Sequence, residues 1–319
     1  MSNQYGSITI KTWDKNEIKV DADIKAYAKT AEEAQKLLDN VSISASKDGD
    51  AVSYKTTIAD TRGSWGSSIR NGKVLWRREM KIHYTVYMPS ANALTASQTY
   101  GGITMADFAG PTSLKVQYGD LVTGNLSNSN NYISVQYGKA SLGNVNAAKI
   151  KHQYGGGITI ATIGTLELNA QYTSARIGTI KNSSTIKHQY GGGVTITNAG
   201  TLNIDAQYTS VKIAKLKGDL TTKIQYGKLN IEEVETGSRM LNVNADYTSV
   251  NLGFSPSFQA SFDVAVRYGD FRYGSNVKAK RLGDDRGYSS SKNYTGEIGK
   301  GSGTAKVSIK ASYDSVTFR

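Results

Sequence analysis

The chain is 319 residues long, enough for one extended domain or two ordinary ones, and its lack of cysteine excludes disulfides, thiolate nucleophiles and cysteine-bound metals together. Three prolines against 33 glycines and 20 tyrosines, with abundant Thr, Ser, Val and Ile, favour strands joined by tight corners. The net charge of +12 suits a polyanionic partner or simply a soluble basic surface, and no apolar run is long enough to cross a membrane as a helix.

Residues 1–95 read as a β-rich capping region. The run 11–28 predicts a strand, a turn and a longer strand. TAEEAQKLLDN, at 30–40, is the one good helix: Thr30 is an N-cap candidate with Glu33 three residues on, and Ala34, Leu37 and Leu38 form an apolar face. Two alternating stretches around Asp48-Gly49 predict a hairpin, Asn71-Gly72 marks another turn, and 73–88 follows as a long strand.

From residue 96 to 319 the chain is dominated by a repeat. QYGSITI at 4–10 is its first copy and TYGGITM at 99–105 its second. QYGDLVT, QYGKASL, QYGGGITI, QYTSARI, QYGGGVTI, QYTSVKI, QYGKLNI, DYTSVNL, RYGDFRY and SYDSVTF follow. From Tyr100 to Tyr226 the tyrosines are 18, 19, 17, 18, 18, 18 and 18 residues apart; two steps of 21 and one of 45 complete the series. Such regularity identifies a repeat architecture. Four before each Tyr from Tyr118 onward stand Leu114, Ile133, Ile150, Leu168, Ile186, Ile204, Thr222, Val243, Val264 and Ile309. Two before it the residues are again mostly apolar, and the odd positions are mostly polar, so each Tyr ends a half-buried strand. The Tyr shares the parity of the apolar set and is expected on the buried face or at the corner, with the following Gly supplying the positive φ or Thr-Ser bonding its own backbone.

These features predict an all-β fold: a right-handed parallel β-helix, or β-solenoid, with about 18 residues per coil, about ten coils, and the N-terminal cap with its short helix. Equivalent outward positions support stacked parallel coils. Lys187, Asp205 and Lys223 alternate in charge, and the Gln at 117, 136, 153, 171, 189, 207 and 225 form a stack. Tyr5 has only Met1–Gln4 before it where later copies have a full strand, so the native chain is expected to extend upstream through another strand and a signal peptide.

Chemistry-bearing residues are sparse. His83 falls on a polar strand face. His152 and His188 occupy equivalent KHQYGGG runs two coils apart, too far to share a metal ion. Carboxylates are scattered, so neither a Ca²⁺ cluster nor an acid/base pair emerges, and no cofactor is expected. The GGG runs at 155–157 and 191–193 lack phosphate-loop context and make room at a corner. Two interruptions of the pattern are candidate ligand contacts. One is the Gly/Ser-rich loop 60–73, with Trp65 among Arg62 and Arg70. The other is the basic insertion at 274–306, with Lys278, Lys280, Arg281, Arg286 and Tyr288.

GSITIKTWDKNEIKVDADIKAYAKTAEEAQKLL (6–38), the YTVYMP strand end (84–89) and the serial YG-x-I-x-I units resemble the bacterial "putative-adhesin" domain family of unknown function. The resemblance covers nearly the whole chain and implies a β-helical fold and an exported protein, extracellular, on the cell surface or in the periplasm. It carries no functional residues. The expected function is a non-enzymatic adhesin or scaffold contacting an anionic glycan or an envelope protein, with nucleic acid disfavoured. A β-helix glycan-active enzyme and a polymer-forming envelope scaffold are the alternatives.

Overall fold

The computed structural model describes residues 1–59, 66–71, 73–283, 290–300 and 303–319. It is a mostly β chain with one helix, wound into a β-solenoid of about 8 turns of about 19 residues each. Fewer turns form than the expected ten. Two compact units are present, Met1–Leu142 and Gly143–Arg319.

In the first unit β1 (Ser2–Trp13) is followed by β2 (Lys19–Tyr27), α1 (Ala31–Asp39), the hairpin β3 (Val41–Asp48) and β4 (Ala51–Ile58), β5 (Gly66–Arg70), β6 (Lys73–Pro89) and β7 (Leu94–Met105). Thr30 caps α1, its side chain accepting the Glu33 amide at 3.2 Å. β1 lies between two strands that come later in the chain, parallel to both: Gly6 is in register with Ile82 of β6 and with Gly101 of β7. β2 closes the far edge of β6 in antiparallel fashion. Short strands β8 (Thr112–Gln117), β9 (Leu121–Thr123) and β10 (Asn131–Gln136) stack onward in parallel, and β11 (Lys139–Gln153) leads out of this unit. A buried polar network ties β1 to the cap. Tyr84 Oη lies 2.6 Å from Thr56 Oγ1, Thr56 donates to Asn3 Oδ1 at 2.8 Å, and Asn3 Nδ2 donates to Ile82 O and Gln98 Oε1.

The second unit continues with β12 (Gly157–Gln171), β13 (Ser174–Gln189), β14 (Gly193–Gln207), β15 (Ser210–Leu216), β16 (Leu220–Val234) and β17 (Met240–Phe254), each parallel to its predecessor or next coil. It closes with β18 (Ala260–Arg267), β19 (Phe271–Tyr273), β20 (Val277–Leu282), β21 (Ser291–Ile298), β22 (Ala305–Ser312) and β23 (Val316–Phe318). The 21-residue step from Tyr247 to Tyr268 suggests that β18 stacks on β17. It does not. β22 and β23 thread between the two coils, with Asn244 in register with Lys310 and Lys310 in register with Ala265. The displaced β18 turns its other edge to β21, which pairs antiparallel with it and with β20.

The inward phase is as the alternation predicts. In the two units Leu114, Ile133, Ile150, Leu168, Ile186, Ile204, Val243, Val264 and Ile309 are all buried, as are the residues two before each Tyr, His152 and His188 included. Successive outward residues are also in register, Asn169 with Lys187, Lys187 with Asp205, and Asp205 with Lys223.

The corner differs from expectation. The Tyr, not the Gly, takes the left-handed conformation: all twelve have φ between 46° and 60°. A left-handed residue between two extended ones turns the strand sharply and swings the phenol ring out of the core. From Tyr100 onward the rings are 42% to 52% exposed rather than buried. The Gly serves close approach instead. A Cβ on Gly191 would lie 2.0 Å from the Thr173 carbonyl oxygen of the preceding coil, and one on Gly227 would lie 1.9 Å from that of Thr209. Where Thr follows the Tyr its side chain is buried: Thr173 bonds His152 Nδ1 at 2.9 Å, and Thr248 donates to the Asp246 carbonyl at 2.9 Å.

Two stability predictions follow from this corner. Tyr190 stacks on Tyr172 and Tyr208 at 5.1 and 5.0 Å. Tyr190→Ala should cost about 1–3 kcal/mol from two lost ring pairs. Tyr190→Gly should be less destabilising than Tyr190→Ala by about 1 kcal/mol, because it relieves the left-handed backbone. Urea denaturation would show this order, which is the reverse of the usual Ala-over-Gly preference inside a strand. Gly191→Ala should destabilise by about 1–3 kcal/mol through overpacking against the Thr173 carbonyl, read as a lowered denaturation midpoint.

Candidate functional site

Within each unit the corners line up their rings. In the first unit Tyr5, Tyr100, Tyr118 and Tyr137 stack with centroids 5.0, 5.1 and 4.7 Å apart and planes within 10° of parallel. In the second unit Tyr154, Tyr172, Tyr190, Tyr208, Tyr226, Tyr247, Tyr313 and Tyr268 form a longer ladder with spacings of 4.4 to 5.1 Å. The spacing is the distance between parallel coils, so the ladder is a direct readout of the backbone repeat. Arg267 sits over the terminal Tyr268 ring, 5.1 Å from its centroid.

Alongside runs a second ladder made of side-chain amides. Gln153 Nε2 donates to Gln171 Oε1 at 2.9 Å, Gln171 to Gln189 at 3.0 Å, Gln189 to Gln207 at 3.1 Å and Gln207 to Gln225 at 3.4 Å. Gln117 and Gln136 do the same in the first unit, at 3.2 Å. Each bond contributes about 0.5–1.5 kcal/mol and fixes the neighbouring residue that carries the ring. The corner amides are held as well, Tyr172 N donating to Gln189 O and Tyr190 N to Gln207 O.

Interior rings spend both faces on their neighbours. What they offer solvent is a row of ring edges and phenol hydroxyls at regular spacing. Two shallow grooves lie in the second unit, and the first of them borders the row. One, of about 480 Å³, is bounded by Gly155, Gly156, Tyr172, Thr173, Tyr190 and Gly192. It exists because each GGG run takes one more residue than Tyr-Thr-Ser to return to register, Ser174 pairing with Gly193. The other, also about 480 Å³, lies over the outward column of Asp205, Lys223, Asn244 and Lys310. That column reads Lys151, Asn169, Lys187, Asp205, Lys223, Asn244 and Lys310, four cations against one carboxylate.

The phenols are not equivalent. Burial, reinforced by the neighbouring Tyr313 and Tyr226, raises the pKa of Tyr247 above the usual tyrosine value. At the ladder's end hydrogen bonds from Arg267 and Ser290 and the Arg267 charge lower that of Tyr268.

Of the residues singled out by sequence, Trp65, Arg62, Arg286 and Tyr288 lie outside the described residues. Arg70 is exposed at the end of β5. Lys278, Lys280 and Arg281 are brought together on β20. Lys278 and Lys280 border a groove of about 530 Å³ in which Glu297 stands opposite Lys278. β20 lies at the outer edge of the β18–β21–β20 ladder, and lysines on such an edge discourage pairing with other strands. His83 is half-buried rather than free, its Nδ1 2.8 Å from Ser7 Oγ. Sequence reading missed an aromatic-basic cluster on the first unit. Trp13 stacks on Tyr87 at 5.3 Å, Lys11 and Lys19 lie over Tyr87, and Lys15 lies over Trp13. The i, i+2 spacing of Lys11, Trp13 and Lys15 was its local signal.

No group of three or more His, Asp or Glu side chains able to hold a metal ion occurs among the described residues. No helix there is long and apolar enough to cross a membrane. His188 is fully buried between Ala170 and Ala206 of the adjoining coils. Burial lowers its pKa below the ordinary histidine value, with the Thr173 backbone pulling the other way.

No family model matches the chain, and no curated protein does. Among solved structures it is similar to a "putative cell adhesion protein" from Clostridium sporogenes, at 9% identity and a TM-score of 0.17, covering 99% of this chain and 89% of that one. A likeness at that level carries no functional weight.

The buried His188 yields a pH prediction. A histidine whose folded pKa is depressed must lose its proton to fold, so its contribution is complete above the unfolded value. It is lost as pH falls from about 6.5 towards the folded value. Thermal unfolding between pH 7 and 5 should show a progressive loss of stability that His188→Gln flattens.

Proposed function

We propose that this chain is a non-enzymatic, adhesin-type β-solenoid that binds an extended anionic polysaccharide along the tyrosine ladder of its second unit. The observation that carries the reading is the exposed ladder itself. Rings in left-handed backbone cost about 1–2 kcal/mol per residue. In the second unit eight of them are nonetheless held at solvent-facing corners, 4.4 to 5.1 Å apart.

The spacing bears on what fits. An extended peptide presents same-face groups every ~6.6 Å, which drifts out of step with rings 4.4 to 5.1 Å apart. A row of phenol hydroxyls at regular steps suits a polymer that repeats its own hydroxyls along its length. The grooves beside the Tyr and the GGG corners give the sugar hydroxyls a place to lie. The excess of lysine in the adjoining column, Lys151, Lys187, Lys223 and Lys310, favours carboxylated or sulfated sugars. The scatter of acidic side chains supports binding without turnover. Binding such a polymer fits an exported protein, the location expected from the segments 6–38 and 84–89.

Tyr→Phe keeps the ring, the stack and the backbone while deleting the hydroxyl. The triple variant Tyr172→Phe/Tyr190→Phe/Tyr208→Phe should therefore bind acidic polysaccharides about five- to thirtyfold more weakly, the loss of about one to two kcal/mol expected for a few exposed hydrogen bonds. Its unfolding temperature should stay close to wild type. Lys187→Gln/Lys223→Gln should lower affinity and flatten its salt dependence. Glycan-array and calorimetric titrations would check both; unchanged binding in the triple variant would remove the ladder as the site.

A further inference from the structure

The coil formed by residues 304–319 is held on both sides by coils that precede it in the chain. Towards β17, Met240 to Asp246 pair with Lys306 to Ser312, and Val250 to Leu252 pair with Val316 to Phe318. Towards β18 and β19, Ala260 to Arg267 pair with Ala305 to Ser312, and Phe271 to Tyr273 with Val316 to Phe318. Backbone bonds alternate between the two sides: Arg319 N donates to Leu252 O, Val316 N to Asp270 O, and Tyr313 N to Arg267 O. Val307, Ile309, Ala311, Val316 and Phe318 are buried in the core, and Tyr313 fills the rung between Tyr247 and Tyr268.

The slot therefore exists apart from its occupant. Its walls, 240–254 and 260–273, are built from earlier sequence, and β21 holds the outer wall by pairing with the far edge of β18. Only a short connection ties the occupant to the wall. Ile298 and Ala305 flank Ala260 on its two sides, and the sequence between them is Gly-Lys-Gly-Ser-Gly-Thr. Gly299, with φ of 83°, begins it. Short hinges beside an inserted strand invite exchange. A second copy carries the same coil with the same register, the same core side chains and the same Tyr.

We infer that residues 304–319 form an exchangeable coil, and that two copies of this chain assemble by each placing it in the other's slot. Every ladder and core contact of the single copy is reproduced in the exchanged pair, so the slot pairings contribute no difference between the two states. Chain concentration decides between them. Six residues reach at most about 20 Å, so the two slots lie side by side in the pair.

The lack of native cysteine makes the test direct. Asn244 and Lys310 are exposed register neighbours on β17 and β22. Full-length Asn244→Cys and Lys310→Cys chains are mixed, unfolded in urea, refolded together at high concentration and oxidised. Asp205→Cys mixed with Lys310→Cys provides the collision background, since position 205 lies several rungs from the slot. The double variant Asn244→Cys/Lys310→Cys in a single chain, closing an internal disulfide at low concentration, shows that the slot forms in the substituted protein. Exchange predicts covalent Asn244→Cys–Lys310→Cys pairs at least about tenfold above that background, because exchange holds the two sulfurs at high effective concentration. It also predicts a concentration-dependent twofold mass by light scattering. Covalent pairs at the background level, with the double variant closing its internal bond, would overturn the inference.

Discussion

The fold depends on a single backbone conformation repeated at every corner. A strand that kept extended geometry past Gln would run off the core; one residue in the left-handed region turns it. Glycine is the usual choice there, yet every corner uses tyrosine. The ring explains the preference. Left-handed backbone costs an L-residue about 1–2 kcal/mol, and each interior ring recovers a comparable amount from two stacked neighbours. The cost is local and the return is collective, so the corner is stable only when coils stack in register. Gln ladders beside the rings enforce the same register through hydrogen bonds. Together they make the stacking of coils and the geometry of corners one condition.

That condition also makes the surface. Because the rings stack through their faces, the molecule exposes edges and hydroxyls in a row whose spacing is set by the backbone. The lysine and asparagine column is aligned by the same parallel register. The site needs no loop to position it, and its precision comes from the sheet.

Much of the fold was legible in the sequence. Period-two alternation before each Tyr named the buried side chains, including His152 and His188, and Thr30 with Glu33 marked the helix start. The stacked glutamines were likewise visible from their spacing. The tyrosine side was misread because parity assumes an unbroken extended strand, and a single left-handed residue reverses the face without altering the pattern of residue types. Threading was invisible for a different reason. A step of 21 residues from Tyr247 to Tyr268 matches the step before it, and only competition among tertiary partners sends Tyr313 between them. Asn3, Thr56, Tyr84 and Gln98 form one buried network from four distant stretches, with no local pattern to announce it.

Threading recurs in both units: β1 lies between β6 and β7 and is paired with both over residues 6–10, as 304–319 lie between β17 and β18. Its consequence is mechanical. A coil at the edge of a solenoid can be peeled away one hydrogen bond at a time. A coil gripped on both sides, and pulled along its own axis, must slide past two ladders whose bonds share the load and fail together. A tension along either segment therefore loads two ladders at once rather than one bond at a time.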